Sequence, residues 1–216
     1  MDSAERYNAW LFSRARPYLD GRVLDVGAGI GTFTTFLTAV ADAIVAVEPD
    51  AEEAAALRAR FDGDERVTVV QGTVADLDQT PFDAALCFNV LEHVHDDIEA
   101  LRTIRTRLAP GGRLVVLVPA HPALYGAVDR AVDHVRRYDR RTLTRSLNEA
   151  GLRIDELRHV NPVGAAGWLV SSRLLGRSEI PTGPLAVYDR LVPVFRALDA
   201  LRLPVGLSLW SVAHAP

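Results

Sequence analysis

The chain has 216 residues, 49% hydrophobic and 24% charged, a balance that fits one folded core and excludes a disordered chain. Its formal charge is −4 and all 24 basic residues are arginine, so it offers no broad positive field for nucleic acid, no Walker lysine and no lysine nucleophile or base. The single cysteine, Cys87, excludes an internal disulfide and a cysteine-rich zinc site, and its apolar setting Ala84–Phe88 predicts a buried, inert thiol.

At the N-terminus, Tyr7 and Trp10 lie on an amphipathic pattern, and residues 1–20 are expected to form a helical cover. The opening residues lack a charged-then-apolar leader pattern. No uninterrupted apolar run approaches ~18 residues, so a cytoplasmic protein without stable membrane insertion is expected. Strands are predicted at Arg22–Val26, Ala43–Val47, Arg66–Val70, Phe82–Phe88 and Arg113–Val118. Helical spacing falls between them at Ala51–Phe61 and Asp96–Leu108, with Pro49-Asp50 as a helix opening and Ala109-Pro110-Gly111-Gly112 as a turn into the fifth strand. The alternation implies right-handed crossovers and a parallel sheet with helices on both faces.

Arg140–Ala150 reads as a further helix closed by Gly151, and Leu152–Val160 and Leu207–Ala213 read as two more strands. The 46 residues 161–206 between those strands are too many for a structureless connection. Helices at Gly164–Leu175 and Pro184–Leu201 are expected there, as an insertion covering a site. Trp168, Tyr188, Phe195 and Trp210 could line an acceptor pocket, with core packing as the plainer role.

The sharpest motif is Val23-Leu-Asp25-Val-Gly27-Ala28-Gly29-Ile-Gly31-Thr32, a strand running straight into glycines and then into an apolar helix start. Such a turn lets the backbone approach a ligand closely, although a plain tight turn is also compatible with the glycines. A dinucleotide fingerprint needs glycine or alanine three positions after Gly29; Thr32 stands there instead, which weakens a pyrophosphate reading. Glu48, seventeen residues after Gly31 and at the end of the second strand, can accept from both hydroxyls of a ribose.

Asp25 to Gly31 with Glu48 resembles the first two signature motifs of class I S-adenosylmethionine-dependent methyltransferases. The resemblance continues through Gly72-Thr73-Val74, Phe82-Asp83, Asn89-Val90-Leu91-Glu92-His93 and Leu108–Leu114, and over the whole chain it resembles a bacterial small-molecule subgroup. It implies a Rossmann-like α/β fold in one domain over residues 1–216, with a seven-stranded, mostly parallel sheet and an antiparallel last strand. It implies S-adenosyl-L-methionine as cofactor and S-adenosyl-L-homocysteine as product. Asp25 would hold the methionine ammonium; Gly27, Ala28, Gly29 and Gly31 would form the cofactor turn; Glu48 would take the ribose diol and Pro49 would pack on adenine. Thr73 and Val74 would border the base, Asn89 and Val90 would lie under the sulfonium, and Tyr7 could face it. Many relatives carry aspartate where Thr73 stands, which puts the adenine contact in question.

Methyl transfer needs alignment and exclusion of water more than it needs a strong base. His93, His121 and His134 follow strand ends and are candidates to face one cavity and take a proton; each also has a structural role open to it, in shaping or ordering its loop. No metal site is expected, because Glu92, His93 and His95 would diverge at a helix start. The expected partner is a small or medium organic acceptor with apolar surface, and the protein a monomer or homodimer. A cofactor-binding protein without methyl transfer, a cyclase on the same scaffold and a nicotinamide-dependent reductase are the alternatives.

Overall fold

Neighbouring residues of a strand point to opposite faces of a sheet, and the apolar residues here divide accordingly. Leu24, Val45, Ala85 and Val116 pack on one face with Leu101, Ile104, Leu143 and Leu147, whereas Val23, Ile44, Leu86 and Val115 pack on the other with Trp10, Leu11 and Phe12. The structure, a computed structural model, describes residues 4–162, 192–201 and 203–216. Its strands are β1 Arg22–Val26, β2 Ala43–Glu48, β3 Val67–Gln71, β4 Phe82–Phe88, β5 Leu108–Pro119, β6 Arg153–Val160 and β7 Ser208–His214. The helices are α1 Glu5–Ala15, α2 Thr32–Leu37, α3 Ala51–Arg60, α4 Asp97–Arg107, α5 Ala127–Ala131, α6 Arg140–Glu149 and α7 Val192–Ala200.

The sheet order is β3-β2-β1-β4-β5-β7-β6. β7 is antiparallel to both of its neighbours and every other pairing is parallel. This is the expected Rossmann-like sheet. Helices start where the sequence places acidic caps: Asp50 accepts from the Glu52 and Glu53 amides, Asp96 from Glu99 and Asp139 from Thr142.

β5 departs from expectation. It begins at Leu108, opposite Phe82, rather than at Arg113, and the register jumps between Phe82 and Ala84. Pro110-Gly111-Gly112 signals a turn, but the Gly111 amide donates to the Ala215 carbonyl at 2.8 Å and the Ala215 amide donates to Gly112 at 2.9 Å. These bonds keep the segment in the sheet as a bulge, where a proline is tolerated.

The ends of the 161–206 insertion are fastened together. The Leu207 amide donates to the Asn161 carbonyl at 2.9 Å, and the Ala120 amide donates to Leu207 at 2.8 Å. Gly206 lies so close to the Val160 backbone that a Cβ would collide with it. The helix expected at Gly164–Leu175 lies outside the described residues, as do Trp168, Tyr188 and the side chain of Phe195; of Pro184–Leu201, the structure describes helix over Val192–Ala200. Trp210 is fully buried in the sheet core rather than free to line a pocket. Among the described residues no helix is long and apolar enough to cross a membrane.

Candidate functional site

β1 and β4 are neighbours in the sheet, and from them the strand order proceeds in opposite directions. Such a reversal opens a crevice at the carboxyl ends of the strands. The glycine turn lies at that crevice. Gly27 has φ +63°, and a Cβ there would stand 2.6 Å from Cγ2 of Val90, which follows β4. Gly31 has φ +88°, and a Cβ would meet Phe61 and Leu57 at 2.6 and 2.7 Å, so its absence lets α3 close against the turn.

Glu48 fastens this turn to β2. Its Oε2 accepts the Gly29 amide at 2.9 Å and its Oε1 accepts the Asp50 amide at 2.9 Å, while the Ala28 amide donates to the Val47 carbonyl at 3.0 Å. Each carboxylate oxygen keeps a lone pair for a further donor. Asp25 sits one strand away, 3% exposed, and accepts the Thr34 hydroxyl at 2.6 Å. Burial pushes its carboxyl up to about 7; the Thr34 hydrogen bond pulls it down, and Glu48 raises it again. Burial, followed by Glu48 and Asp50, also raises Glu53. The crevice is therefore electronegative and suited to a cationic ligand.

Pro49 is exposed beside Glu48, Thr73 is exposed and Val74 is buried. The Thr73 amide and hydroxyl both donate to Asp76, at 2.8 and 2.9 Å, and these bonds hold Asp76 below the usual carboxylate range. A carboxylate thus stands beside the threonine after all. Asp76 escapes a reading by motif position because it lies three residues downstream. Asn89 takes φ +54°, and its amide donates to Leu117 at 2.8 Å. Tyr7 is half-buried; its hydroxyl accepts from Asn161 at 3.1 Å and its ring lies 5.5 Å from that of Trp10. Trp10 itself belongs to the core.

The three candidate histidines do not form one group. His93 and His134 meet edge to face with ring centroids 4.7 Å apart, whereas His121, at φ +62°, stacks on His159 at 5.2 Å. Three-dimensional pairing separates them: β6 brings its own histidine to the loop after β5. His134 Nδ1 lies 3.0 Å from Asp129, a fully buried carboxylate that also accepts from Arg137 Nε at 2.7 Å and from the Gly126 amide at 2.8 Å. With Nδ1–H donated to Asp129, Nε2 carries the lone pair; it lies 3.9 Å from Glu92 Oε1.

Glu92 is 1% exposed, and its Oε2 has no hydrogen-bond partner. Burial pushes its carboxyl up to about 8; hydrogen bonding to backbone and the charge of Arg137 lower it, and Asp129 raises it. Burial, then the charge of His134, depresses His93, against an opposing pull from Asp133. Spacing counted against a metal group built with His95. In space that residue is exposed and outside the cluster, and His134 joins Glu92 and His93 instead.

A family model described as a methyltransferase domain matches residues 4–157. The chain is 33% identical over 109 residues to a ubiquinone biosynthesis O-methyltransferase of Xylella fastidiosa, covering 48% of this chain and 44% of that protein. It is 29% identical over 146 residues to a Mycobacterium tuberculosis protein named "Probable S-adenosylmethionine-dependent methyltransferase", covering 65% and 52%. The chain thus spans about half the length of these two relatives. Among solved structures, an S-adenosylmethionine-dependent methyltransferase from Mesorhizobium loti superposes with a TM-score of 0.66 at 20% identity, over 96% of this chain and 97% of that one. The 4+2 cyclase SpnF does so with a TM-score of 0.66 at 21% identity, over 98% and 80%. At such identities the likeness is one of fold.

Proposed function

The chain belongs to the class I S-adenosylmethionine-dependent methyltransferases, and on that premise we propose that it carries the cofactor's methyl group to an oxygen, nitrogen or carbon atom of a small or medium organic molecule. The observation that carries this reading is the pair of buried carboxylates, Asp25 and Glu48, at the ends of adjacent strands around the Gly27–Gly31 turn. The cofactor brings an ammonium and a sulfonium to an electronegative crevice. Asp25 takes the ammonium, and the free lone pairs of Glu48 take the ribose diol. The Gly27, Ala28 and Gly29 backbone lies along the methionine and ribose, with Asn89 and Val90 beneath the methionine arm. Pro49, Thr73 and Val74 border the adenine, and Asp76 is available to its amino group. Tyr7, with α1 and α7, would cover the site of a single domain.

In the transfer the bond from sulfur to methyl carbon breaks with its electron pair left on sulfur, while a lone pair of the acceptor forms the new bond in line. An acceptor bearing hydrogen must also release a proton. Glu92, His93 and His134 form the acceptor side of the crevice and draw that proton away, whereas His121 is engaged with His159. The arrangement supplies mainly orientation and exclusion of water.

The test is incubation of the full chain with methyl-labelled S-adenosylmethionine and a panel of phenols, hydroxy acids and amines. Label in an acceptor together with S-adenosylhomocysteine is expected. Cofactor that binds without being consumed while an acceptor rearranges would instead support a cyclase, and cofactor that does not bind would remove the reading.

A further inference from the structure

Glu92 and His93 follow β4, and His134 follows α5; each offers one ligand atom, and the three atoms lie within 4.8 Å of one another. We infer that these three side chains bind a single divalent transition-metal ion, zinc by preference, leaving a coordination position for an oxygen of the acceptor.

The buried carboxylate is the first ground. Oε2 of Glu92 is enclosed and has no partner, a costly state for a buried polar oxygen. Asp129 and Arg137 already pair, so the buried Glu92 can ionise only with an added cation to balance it. A second ground is the way the His134 imidazole is held. Metal-bound histidines ordinarily donate their remaining ring N–H to a carboxylate or carbonyl, which fixes the tautomer. His134 has Asp129 at 3.0 Å for this purpose.

The donors select the ion. Two imidazoles and one carboxylate suit zinc, whose catalytic sites carry three protein ligands and an open fourth position, whereas magnesium prefers oxygen ligands and water. Bonds of ~2.0–2.1 Å place tetrahedral ligands about 3.3 Å apart, so the group must draw in on binding. His93, exposed at the edge of the cluster, is the side chain with room to move. What the ion would do rests on the methyl-transfer reading: with the three side chains engaged as ligands, an acceptor hydroxyl bound to the ion would become more acidic and lose its proton to solvent, and its oxygen would bond to the methyl carbon as the sulfur leaves with the electron pair of the broken bond. Binding of the ion does not depend on that reading.

The experiment strips the full chain with a chelator and titrates it with zinc chloride by calorimetry, with cobalt(II) as a visible-absorption probe and magnesium chloride as a comparison. Glu92→Gln, His93→Ala and His134→Ala are measured beside it, each with S-adenosylhomocysteine affinity as a check on folding. One zinc per chain is expected, with weak magnesium binding and loss of about tenfold or more in zinc affinity for each variant. The cobalt spectrum should change most in the histidine variants. No stoichiometric zinc in a chain that binds S-adenosylhomocysteine overturns the inference, as does zinc affinity unchanged in His93→Ala, the exposed position least able to disturb the fold. A chain that takes zinc at these residues but no cofactor upholds the site and removes the methyl-transfer reading instead.

Discussion

Glu48 accepts the Gly29 amide at 2.9 Å, so the residue proposed for the ribose also holds the loop on which the ribose would rest. Glu48→Ala removes a charged partner and slackens the turn together. Cofactor affinity should fall by about 1–3 kcal/mol, read by calorimetry with S-adenosylhomocysteine. Affinity equal to that of the unaltered chain would contradict the ribose assignment.

Asp25 gives a pH dependence with opposite signs for stability and for binding. Its carboxyl, held at about 7 against an ordinary 3.8, keeps a proton in the folded chain that the unfolded chain has released. Stability of the free protein therefore falls as pH rises through that window. The ammonium needs the ionised carboxylate, so cofactor affinity rises over the same range, by up to about tenfold per pH unit, and levels off above it. Thermal melts and calorimetry between pH 5 and 8 check both, and Asp25→Asn should flatten both profiles. A pH-independent affinity in the unaltered chain would remove Asp25 from the ammonium contact.

Gly27→Ala introduces a Cβ 2.6 Å from Val90 at φ +63°. A loss of ~1–3 kcal/mol in urea unfolding is expected. Val90→Ala in the same chain should recover the steric part and leave the backbone part, which a double-mutant cycle separates. Simple additivity of the two substitutions would show that the side chains do not meet.

Asp129→Ala leaves Arg137 buried without its 2.7 Å partner and His134 without an acceptor for Nδ1–H. Breaking such a pair costs about 3–5 kcal/mol, so the denaturation midpoint should drop sharply. Asp129→Asn, which can still accept, should lose less.

Cys87 is fully buried in β4, and burial, then Glu92 and Asp25, raise its thiol. Alkylating reagents should label it only on unfolding, in step with the loss of far-ultraviolet circular dichroism. Fast labelling of the native chain would show that β4 opens locally.

The turn and carboxylates proposed for the cofactor were legible as a feature of the chain because their signals are local. Asp25 and Glu48 lie at the ends of two adjacent strands and the three glycines in the turn after the first, where close approach and a left-handed backbone demand glycine whatever the rest of the fold does. The acceptor half depends on contacts that no spacing encodes. Asp129 is placed by the short helix α5, which has no strong periodic pattern, and Glu92 meets His134 only because the loop after α5 folds back, with the Val135 amide donating to the Glu92 carbonyl at 2.7 Å. His121 and His159 meet for a similar reason. At Pro110–Gly112, local turn chemistry was outweighed by hydrogen bonds to Ala215, at the far end of the chain.

The clasp between Asn161 and Leu207 fixes the two roots of the stretch between them. Since its two roots are held by the sheet's own hydrogen bonds, lengthening or replacing that stretch adds only a slowly growing entropic term and leaves the strand register alone. The clasp sits on the β6 and β7 side of the sheet, apart from β1 and β2, which carry Asp25 and Glu48.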